Sequence, residues 1–199
     1  MESITTSSYA VHFNDQAFEA LNNYLAPRSY SKVFVLVDEN TKANCLPIFK
    51  AQLSDAISFG LLEIKSGEVN KNINTCNAVW LALSEMDADR KSLLINLGGG
   101  VVTDLGGFVA STYKRGIDFI NVPTTLLSMV DASVGGKTGV DLGPLKNQIG
   151  VINQPEMVLV ASVFLETLDD RQMQSGFAEM LKHGLIQNAG YWQELKALE

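Results

Sequence analysis

The glycine turn at residues 98–100 is the first stretch of this chain whose residue types and spacing indicate chemistry. It follows an apolar run at residues 92–97 and precedes VVTDLGGF, which is typical of the opening of a helix. Glycine lets backbone N–H groups approach an anion closely, and a helix N-terminus supplies partial positive charge. The pattern therefore predicts a phosphate-binding turn, with an ordinary tight turn between strand and helix as the alternative. The pair Gly106-Gly107 would let this helix pack closely on its strand.

Two glycine-rich segments further along the chain each carry one lysine. GGKTG covers residues 135–139 with Lys137, and GPLKN covers residues 143–147 with Lys146. The first is similar to a nucleoside triphosphate-binding loop, but Asp131 stands where that motif requires its first glycine, which excludes that class. We expect both segments to be loops, and two loop lysines suit a phosphorylated or carboxylated substrate. Solvated surface lysines are the alternative.

Glu179 and His183 are four residues apart in a segment with helical periodicity, so they share one helix face. That spacing could hold a metal ion. The chain has two histidines, and the other, His12, lies in the first predicted strand. Histidines of this chain alone therefore cannot complete a metal site.

Strands that alternate with helices predict the open α/β sheet that would position these residues. We expect strands at residues 9–13, 32–37, 61–64, 92–97, 119–122, 149–152 and 157–160. We expect helices at residues 15–25, from about 41 to 53 with an interruption at Pro47, at 73–83, from about 101, and at 126–132, 171–187 and 191–198. Pro27 would end the first of these helices.

Four features fall where predicted parallel strands end, which is where ligands bind in such sheets. They are Asp38, the polar segment 66–71, the glycine turn, and Thr124-Thr125. Asp38 suits a helix N-cap first and a ribose ligand second. The threonines can cap the next helix or donate to a ligand oxygen.

Composition limits the classes of protein to which the chain can belong. Of its 199 residues, 46% are hydrophobic, which allows a sizeable core, and the net charge of -7 argues against nucleic-acid and anionic-membrane partners. The two cysteines, Cys45 and Cys76, have no metal-ligand spacing, so we expect reduced thiols. We also expect neither a secretory signal nor a transmembrane helix, and hence a cytoplasmic protein.

Five motifs, in this order, resemble the 3-dehydroquinate synthase family: GGGVVTDLGGF, RGIDFINVPTTLLSMVDASVGGKTGVD, LKNQIG, FLETL and SGFAEMLKHG. The match runs from about Asp38 to the end of the chain, and complete members of the family are much longer. The resemblance implies a Rossmann-like NAD-binding α/β domain with an open parallel sheet at residues 1–168. It implies that residues 169–199 are the first helices of an all-α C-terminal domain that is truncated here.

The resemblance also implies roles for individual residues. The catalytic residues, in contact with substrate, would be Asp131, Lys137, Lys146, Asn147 and Lys182. The NAD site would comprise Asp38, Ser66, Gly67, Glu68, Val69, Asn70, Lys71, Gly99, Gly100, Val101, Val102, Thr103, Asp104, Thr124, Thr125, Lys137, Lys146, Phe164, Leu165, Glu166, Thr167 and Leu168. Asp38, Glu68 and Lys71 would hold the adenosine portion.

Glu179 would be one of three ligands to zinc or cobalt, and the other two would be histidines that this chain lacks. Because one carboxylate binds zinc poorly, we expect little tightly held zinc in this chain. His183 does not match a metal ligand of the family, so we expect a residue on the helix surface.

The activity that the resemblance implies belongs to the shikimate pathway of chorismate and aromatic amino acid biosynthesis. It is the conversion of 3-deoxy-D-arabino-heptulosonate 7-phosphate to 3-dehydroquinate and phosphate, a carbon–oxygen lyase reaction with transient use of NAD. The resemblance further implies a small sugar-phosphate substrate, a homodimer for the full-length protein, and a chain that binds NAD but does not turn over alone.

Three alternatives remain open at this point. A related sugar-phosphate cyclase would share the NAD motifs, and a metal-dependent polyol dehydrogenase of the same superfamily would leave the lysines without a purpose. A nucleotide-binding module without enzymatic activity is the third. The chain also departs from the family pattern at Thr103, where glycine is usual, at Leu145, and at Asp169-Asp170. Thr103 could narrow the approach to the pyrophosphate.

Overall fold

A computed structural model describes residues 2–26, 28 and 30–197 of the chain. The strands in these residues are β1 Ile4–Thr5, β2 Ala10–Phe13, β3 Val33–Asp38, β4 Gly60–Ile64, β5 Leu93–Gly98, β6 Asp118–Pro123, β7 Lys137–Leu142, β8 Leu145–Ile152 and β9 Met157–Val160. The α-helices are α1 Asp15–Leu25, α2 Glu39–Asn44, α3 Leu46–Gln52, α4 Ile73–Glu85, α5 Gly100–Thr112, α6 Asp170–Gln187 and α7 Ala189–Lys196. Shorter helical turns are Glu68–Asn70, Tyr113–Arg115, Ser128–Ala132 and Ser162–Thr167.

A seven-stranded sheet organises the described residues, in the order β1-β2-β9-β6-β5-β3-β4. All neighbouring pairs are parallel except β1 with β2. The chain passes from β3 outward to β4 and then returns to β5 on the other side of β3. This reversal opens a crevice at the carboxyl ends of β3 and β5, where doubly wound sheets bind ligands. The expected open parallel α/β sheet is confirmed.

The apolar runs of β3 and β5 are buried on both faces of the sheet, as continuous apolar strands in parallel sheets require. Phe34 and Leu36 face a core that α4 and α5 cover, whereas Val35 and Val37 face one that α1 and α3 cover. The sheet therefore has helices on both sides, and its carboxyl edge is left for the site.

Helix α5 packs unusually close to β5 because Gly106 has no side chain. A Cβ atom built on Gly106 would lie 2.0 Å from Oδ1 of Asn96 on β5. The Asn96 amide in turn donates to Asn121 Oδ1 of β6 over 2.9 Å. The predicted role of this glycine in close helix–strand packing is confirmed.

The two lysine-bearing segments begin in turns, at residues 135–136 and 143–144, as loops would. Their lysines, contrary to our expectation, lie in the two strands of an antiparallel hairpin, β7 and β8. Gly139 pairs with Gly150, and a Cβ on Gly139 would lie 2.5 Å from the carbonyl oxygen of Ile149, so glycine permits this close backbone approach. The turn between the strands uses a left-handed Gly143, with a φ of 56°. Gly139, one of the glycines that suggested loops, therefore serves a tightly paired hairpin, which packs on α5.

Most other predicted elements are confirmed within a residue or two. The helix at 126–132 is instead mainly a π-helical turn, Ser128–Ala132, which widens the backbone at a site residue, Asp131. Pro27 and Leu198, which figured in two predicted helix ends, lie outside the described residues. In the part of the chain that the structure describes, no helix has both the length and the apolar character needed to cross a membrane.

Candidate cofactor and substrate site

The glycine turn joins the end of β5 to the start of α5, as the sequence predicts. Gly99 is the N-cap of α5 and has no side chain to satisfy the amides of the first helical turn. Those amides lack partners within the helix and so can bind an anion. Thr125 closes over the turn, because a Cβ on Gly99 would lie 2.9 Å from its methyl group. The Thr124 N–H donates to the Gly98 carbonyl over 3.0 Å and so ties β6 to the turn.

Thr103 does not point into the glycine turn, although it stands where the family usually has glycine. Its side chain is buried, and its hydroxyl donates back to the carbonyl oxygens of Gly99 and Gly100 at 3.3 and 3.2 Å. The hydroxyl is therefore engaged within α5, and the first-turn amides remain free of it.

Asp38 and the segment 66–71 meet beside the glycine turn. Asp38 caps α2, because its Oδ1 accepts from the Thr41 N–H at 2.8 Å, which confirms the N-cap interpretation. The next residue, Glu39, accepts from the Ser66 N–H at 2.6 Å and from its hydroxyl at 3.0 Å. Backbone N–H groups of Glu39 itself and of Ser66 lower the pKa of the Glu39 carboxyl. The role of Asp38 toward a ribose stays a prediction.

A buried lysine, Lys71, links the end of the segment 66–71 to the hairpin. Its side chain is only 4% exposed, and its Nζ donates to Asp104 Oδ2 and to Asn147 Oδ1, each over 2.6 Å. Its backbone carbonyl accepts from the Asp141 N–H at 2.9 Å, and Asp141 Oδ1 accepts from the Asn147 N–H at 2.7 Å. Lys71 thus faces Asp104 and Asn147 in this structure.

Asp104 is a half-buried carboxylate on the first turns of α5. Burial raises the pKa of its carboxyl, and the ammonium of Lys71 opposes that rise. Asp141, which sequence reasoning missed, holds Asn147 in a left-handed backbone conformation with a φ of 55°. The only available signal was an acidic residue near the Gly-Pro turn, which is too common to single out.

A cavity of about 410 Å³ lies between α5, the π-helical turn and the hairpin. Four residues predicted for the site line it, namely Asp104, Asp131, Lys137 and Asn147. The remaining lining residues are Ala132, Thr138, Gly139, Gln148, Gly150, Val151 and Ile152. The cavity therefore offers carboxylate, amide and ammonium groups together, which suits a polyhydroxylated anionic molecule.

Several other predicted site residues do not line this cavity. Lys146 forms an exposed ion pair with Glu68 over 3.1 Å and does not line the cavity. Phe164 is fully buried against Phe18, so its ring belongs to the core. The Thr167 hydroxyl donates to the Phe164 carbonyl over 2.7 Å, so it is engaged within its own helical turn.

The predicted metal ligand Glu179 lies beside Asp131 and His183. One potential ligand atom from each of these residues falls within 4.8 Å of the others. Glu179 also forms an ion pair with Lys182, which we predicted to contact the substrate. The Nε2 atom of His183 lies 3.2 Å from Glu179 Oε1. The hydrogen bond from Lys182 lowers the pKa of the Glu179 carboxyl. His183 is half-buried and faces this cluster, which goes beyond the helix-surface position that we expected.

A second cavity, of about 450 Å³, lies at the opposite end of the sheet. Tyr30, Phe34, Gly60 and Met86 are among the residues around it, and they surround the amino ends of β3 and β4. No predicted site residue lines it. Ligands in open α/β sheets bind at the carboxyl ends, so this cavity is not the candidate site.

Comparisons with known proteins show which family the chain resembles. The family model described as 3-dehydroquinate synthase N-terminal matches residues 61–175. The 3-dehydroquinate synthase of Parabacteroides distasonis is 46% identical over 169 residues, which are 83% of this chain and 47% of that protein. The chain spans about half the length of the curated relatives it matches.

Solved structures show the same fold. The 2-epi-5-epi-valiolone synthase of Streptomyces hygroscopicus subsp. jinggangensis, with NAD+ and Zn2+ bound, superimposes with a TM-score of 0.78 at 30% identity over 95% of this chain and 52% of that one. A 2-deoxy-scyllo-inosose synthase complexed with carbaglucose-6-phosphate, NAD+ and Co2+ gives a TM-score of 0.83 at 23% identity over 93% and 52% of the two chains.

Proposed function

This chain belongs to the 3-dehydroquinate synthase family, and from that premise we propose that the protein to which it belongs converts 3-deoxy-D-arabino-heptulosonate 7-phosphate to 3-dehydroquinate and phosphate. The observation that carries the proposal is the convergence of Asp104, Asp131, Lys137 and Asn147 on one cavity beside the glycine turn. Because the chain spans about half the length of its relatives, we propose that it binds NAD but does not complete the reaction alone.

The residues of the glycine turn suit the dinucleotide. The uncapped first turn of α5 would receive the pyrophosphate, and the carboxyl ends of β3 and β4 would flank the adenosine portion. When bound, NAD would supply reversible hydride transfer at the substrate carbon that bears the hydroxyl group, with no net oxidation. The absence of a side chain at the N-cap supports this assignment, because a Cβ on Gly99 would collide with Thr125, and Gly99 leaves the first-turn amides without a side-chain cap.

The residues of the cavity suit the sugar phosphate. Lys137 would neutralise an anionic group of the substrate, and the carboxylate of Asp131 and the amide of Asn147 would orient its hydroxyl groups. The Lys71 ammonium holds Asp104 and Asn147 at fixed positions before substrate arrives, which lowers the cost of ordering them. Lys146 lies outside this cavity and would reach the ligands only by leaving Glu68.

The metal that the family implies fits the donor atoms of this chain. Carboxylate oxygen and imidazole nitrogen are ordinary ligands of zinc and cobalt, and Glu179 presents a carboxylate toward Asp131. When bound, the metal would polarise the hydroxyl that is oxidised. Lys182, one turn away on α6, would contact the substrate once its ammonium is released from Glu179.

We also propose a domain boundary between residues 168 and 169. Asp169 caps α6 by accepting from the Gln172 N–H at 2.8 Å, and α6 then packs with α7, where Gly184 approaches Trp192. Gly176 of α6 rests against Leu126, so the helical segment is joined to the α/β part next to the site. This arrangement supports a second, helical domain that begins at α6.

Binding of NAD to the 199-residue chain tests the cofactor site. Calorimetric titration should show one NAD per chain, and Asp104→Ala should weaken binding at least tenfold while the circular dichroism spectrum is kept. Asp104→Asn retains the volume of the side chain and guards against a purely structural effect. Asp55→Ala, at an exposed carboxylate away from the site, is the control. Unchanged affinity in both Asp104 variants would remove Asp104 from the site.

Phosphate release and NADH formation test the reaction. We expect the whole protein to release one phosphate per product without net NADH, and we expect no turnover by the 199-residue chain. Net NADH from a simple polyol would favour a polyol dehydrogenase, and turnover of a different sugar phosphate would favour a related cyclase. The chain is 46% identical to a 3-dehydroquinate synthase and 30% identical to the valiolone synthase, which favours 3-deoxy-D-arabino-heptulosonate 7-phosphate as the substrate.

A further inference from the structure

Three residues, Lys71, Asp141 and Asn147, form a closed ring of hydrogen bonds beside the cavity. The Asp141 N–H donates to the Lys71 carbonyl over 2.9 Å, and Asp141 Oδ1 accepts from the Asn147 N–H at 2.7 Å. The Lys71 ammonium closes the ring by donating to Asn147 Oδ1 over 2.6 Å. Asn147 lines the cavity and Asp141 does not, so any effect of Asp141 on a ligand there must pass through its partners.

The position of Asp141 in the hairpin explains how it reaches both partners. The register of the two strands shifts at Asp141, so that three residues of β8, 146–148, stand opposite this one residue of β7. An irregularity of this kind bends a strand and re-aims its side chains, and such irregularities are frequent beside active sites. Asp141 also forms a bridge with Asn72, the N-cap of α4, so its backbone is tied to the end of the segment 66–71.

Asn147 needs support because its backbone is left-handed, with a φ of 55°. That conformation is disfavoured for residues other than glycine, although asparagine tolerates it better than most. A hydrogen bond from its N–H to a carboxylate is charge-assisted and therefore stronger than one to a neutral acceptor. The Asp141 carboxylate thus stabilises the backbone conformation in which the Asn147 amide meets Lys71 and lines the cavity.

We propose that Asp141 is a positioning residue that holds Asn147 in place for a ligand of the cavity. The Lys71 ammonium also holds Asn147, but Lys71 is itself a predicted NAD residue, so its hold would weaken when it turns toward the cofactor. Asp141 lies outside the cavity, so its hold on the Asn147 N–H persists when ligands bind. The inference rests on the proposed function only for the identity of the ligand, the sugar phosphate.

Hydrogen exchange of the Asn147 amide in the 199-residue chain, followed by NMR, tests the hold itself. Asp141→Ala should speed this exchange about tenfold, because it removes a charged acceptor. Asp141→Asn keeps an acceptor oxygen and should lie between wild type and Asp141→Ala. The matched control is Asp89→Ala, which removes a carboxylate that accepts the Lys91 N–H at 2.8 Å, before the amino end of β5. It should speed exchange at Lys91 and leave Asn147 unchanged.

Steady-state kinetics of the whole protein test the consequence for the substrate. Asp141→Ala should lower kcat/KM for the sugar phosphate about tenfold, Asp141→Asn should restore most of that loss, and Asp89→Ala should leave it unchanged. Because Asp141 acts through Asn147, the double variant Asp141→Ala/Asn147→Ala should be no worse than Asn147→Ala alone. A role of Asp141 in general stability would instead add its own loss to that of Asn147→Ala.

Unchanged exchange at Asn147 in Asp141→Ala, or additive losses of kcat/KM in the double variant, would overturn the proposal. If Asp141→Ala does not fold, Asp141→Asn decides, since it must still speed exchange at Asn147 without an effect at Lys91. A whole protein that makes no 3-dehydroquinate would count against the proposed function only, because exchange at Asn147 is measured without substrate.

Discussion

Replacement of Lys71 by methionine should destabilise the chain more than the loss of any exposed ion pair. Lys71 is 4% exposed, and Asp104, its partner at 2.6 Å, is 19% exposed. Methionine keeps most of the buried volume but leaves the Asp104 carboxylate and the Asn147 amide oxygen without the ammonium. Removal of one partner of a buried ion pair costs about 3–5 kcal/mol, and the partial exposure of Asp104 places this variant near about 3 kcal/mol.

The loss should depend on pH in a direction that Asp104 determines. Burial raises the pKa of this carboxyl in the folded chain, and Lys71 limits the rise. A raised pKa means that the folded state binds more protons than the unfolded state. The contribution of Asp104 to stability therefore falls as the pH rises from the pKa of this carboxyl in the unfolded chain toward its pKa in the folded chain. Without Lys71 that folded pKa rises further. The difference in the free energy of unfolding between wild type and variant should therefore be largest at neutral pH and shrink in acid.

Urea unfolding at several pH values measures this difference. Lys42→Met is the matched control, because it breaks an exposed pair with Glu63 that should contribute less than about 1 kcal/mol. The double variant Lys71→Met/Asp104→Asn should recover about half of the loss or more, since it removes the uncompensated charge. The reasoning is refuted if Lys71→Met costs no more than Lys42→Met, or if the double variant is less stable than the single one.

Two further predictions concern the core. Gly106→Ala should cost about 1–3 kcal/mol in thermal or urea unfolding, because its Cβ would meet Asn96 Oδ1 at 2.0 Å, whereas Gly190→Ala on α7 meets its nearest atom at 3.3 Å and should be tolerated. Burial raises the pKa of the Cys45 and Cys76 thiols, that of Cys76 to about 12. A disulfide reagent should therefore label neither cysteine in the native chain and both cysteines in urea. Rapid labelling of the native chain would contradict the buried positions.

The sequence by itself determined the sheet and the location of its ligand-binding edge. Continuous apolar runs such as residues 92–97 demand burial on both faces, and their alternation with amphipathic helices leaves few arrangements other than a doubly wound parallel sheet. The glycine turn was recognisable because the need for close backbone approach is local. Asp38 was recognisable as an N-cap for the same reason, since a cap involves residues three apart.

Only the tertiary structure decided which side chains meet. Lys71 and Asn147 are 76 residues apart, and their contact depends on the way the hairpin packs on α5. Glycines at paired strand positions look like loop glycines in a sequence, so the pairing of Gly139 with Gly150 in the hairpin is evident only from the tertiary structure. His183 joins Asp131 only because α6 lies against the π-helical turn. Periodicity specifies which residues share a face of one element, whereas the packing of distant elements decides what that face contacts.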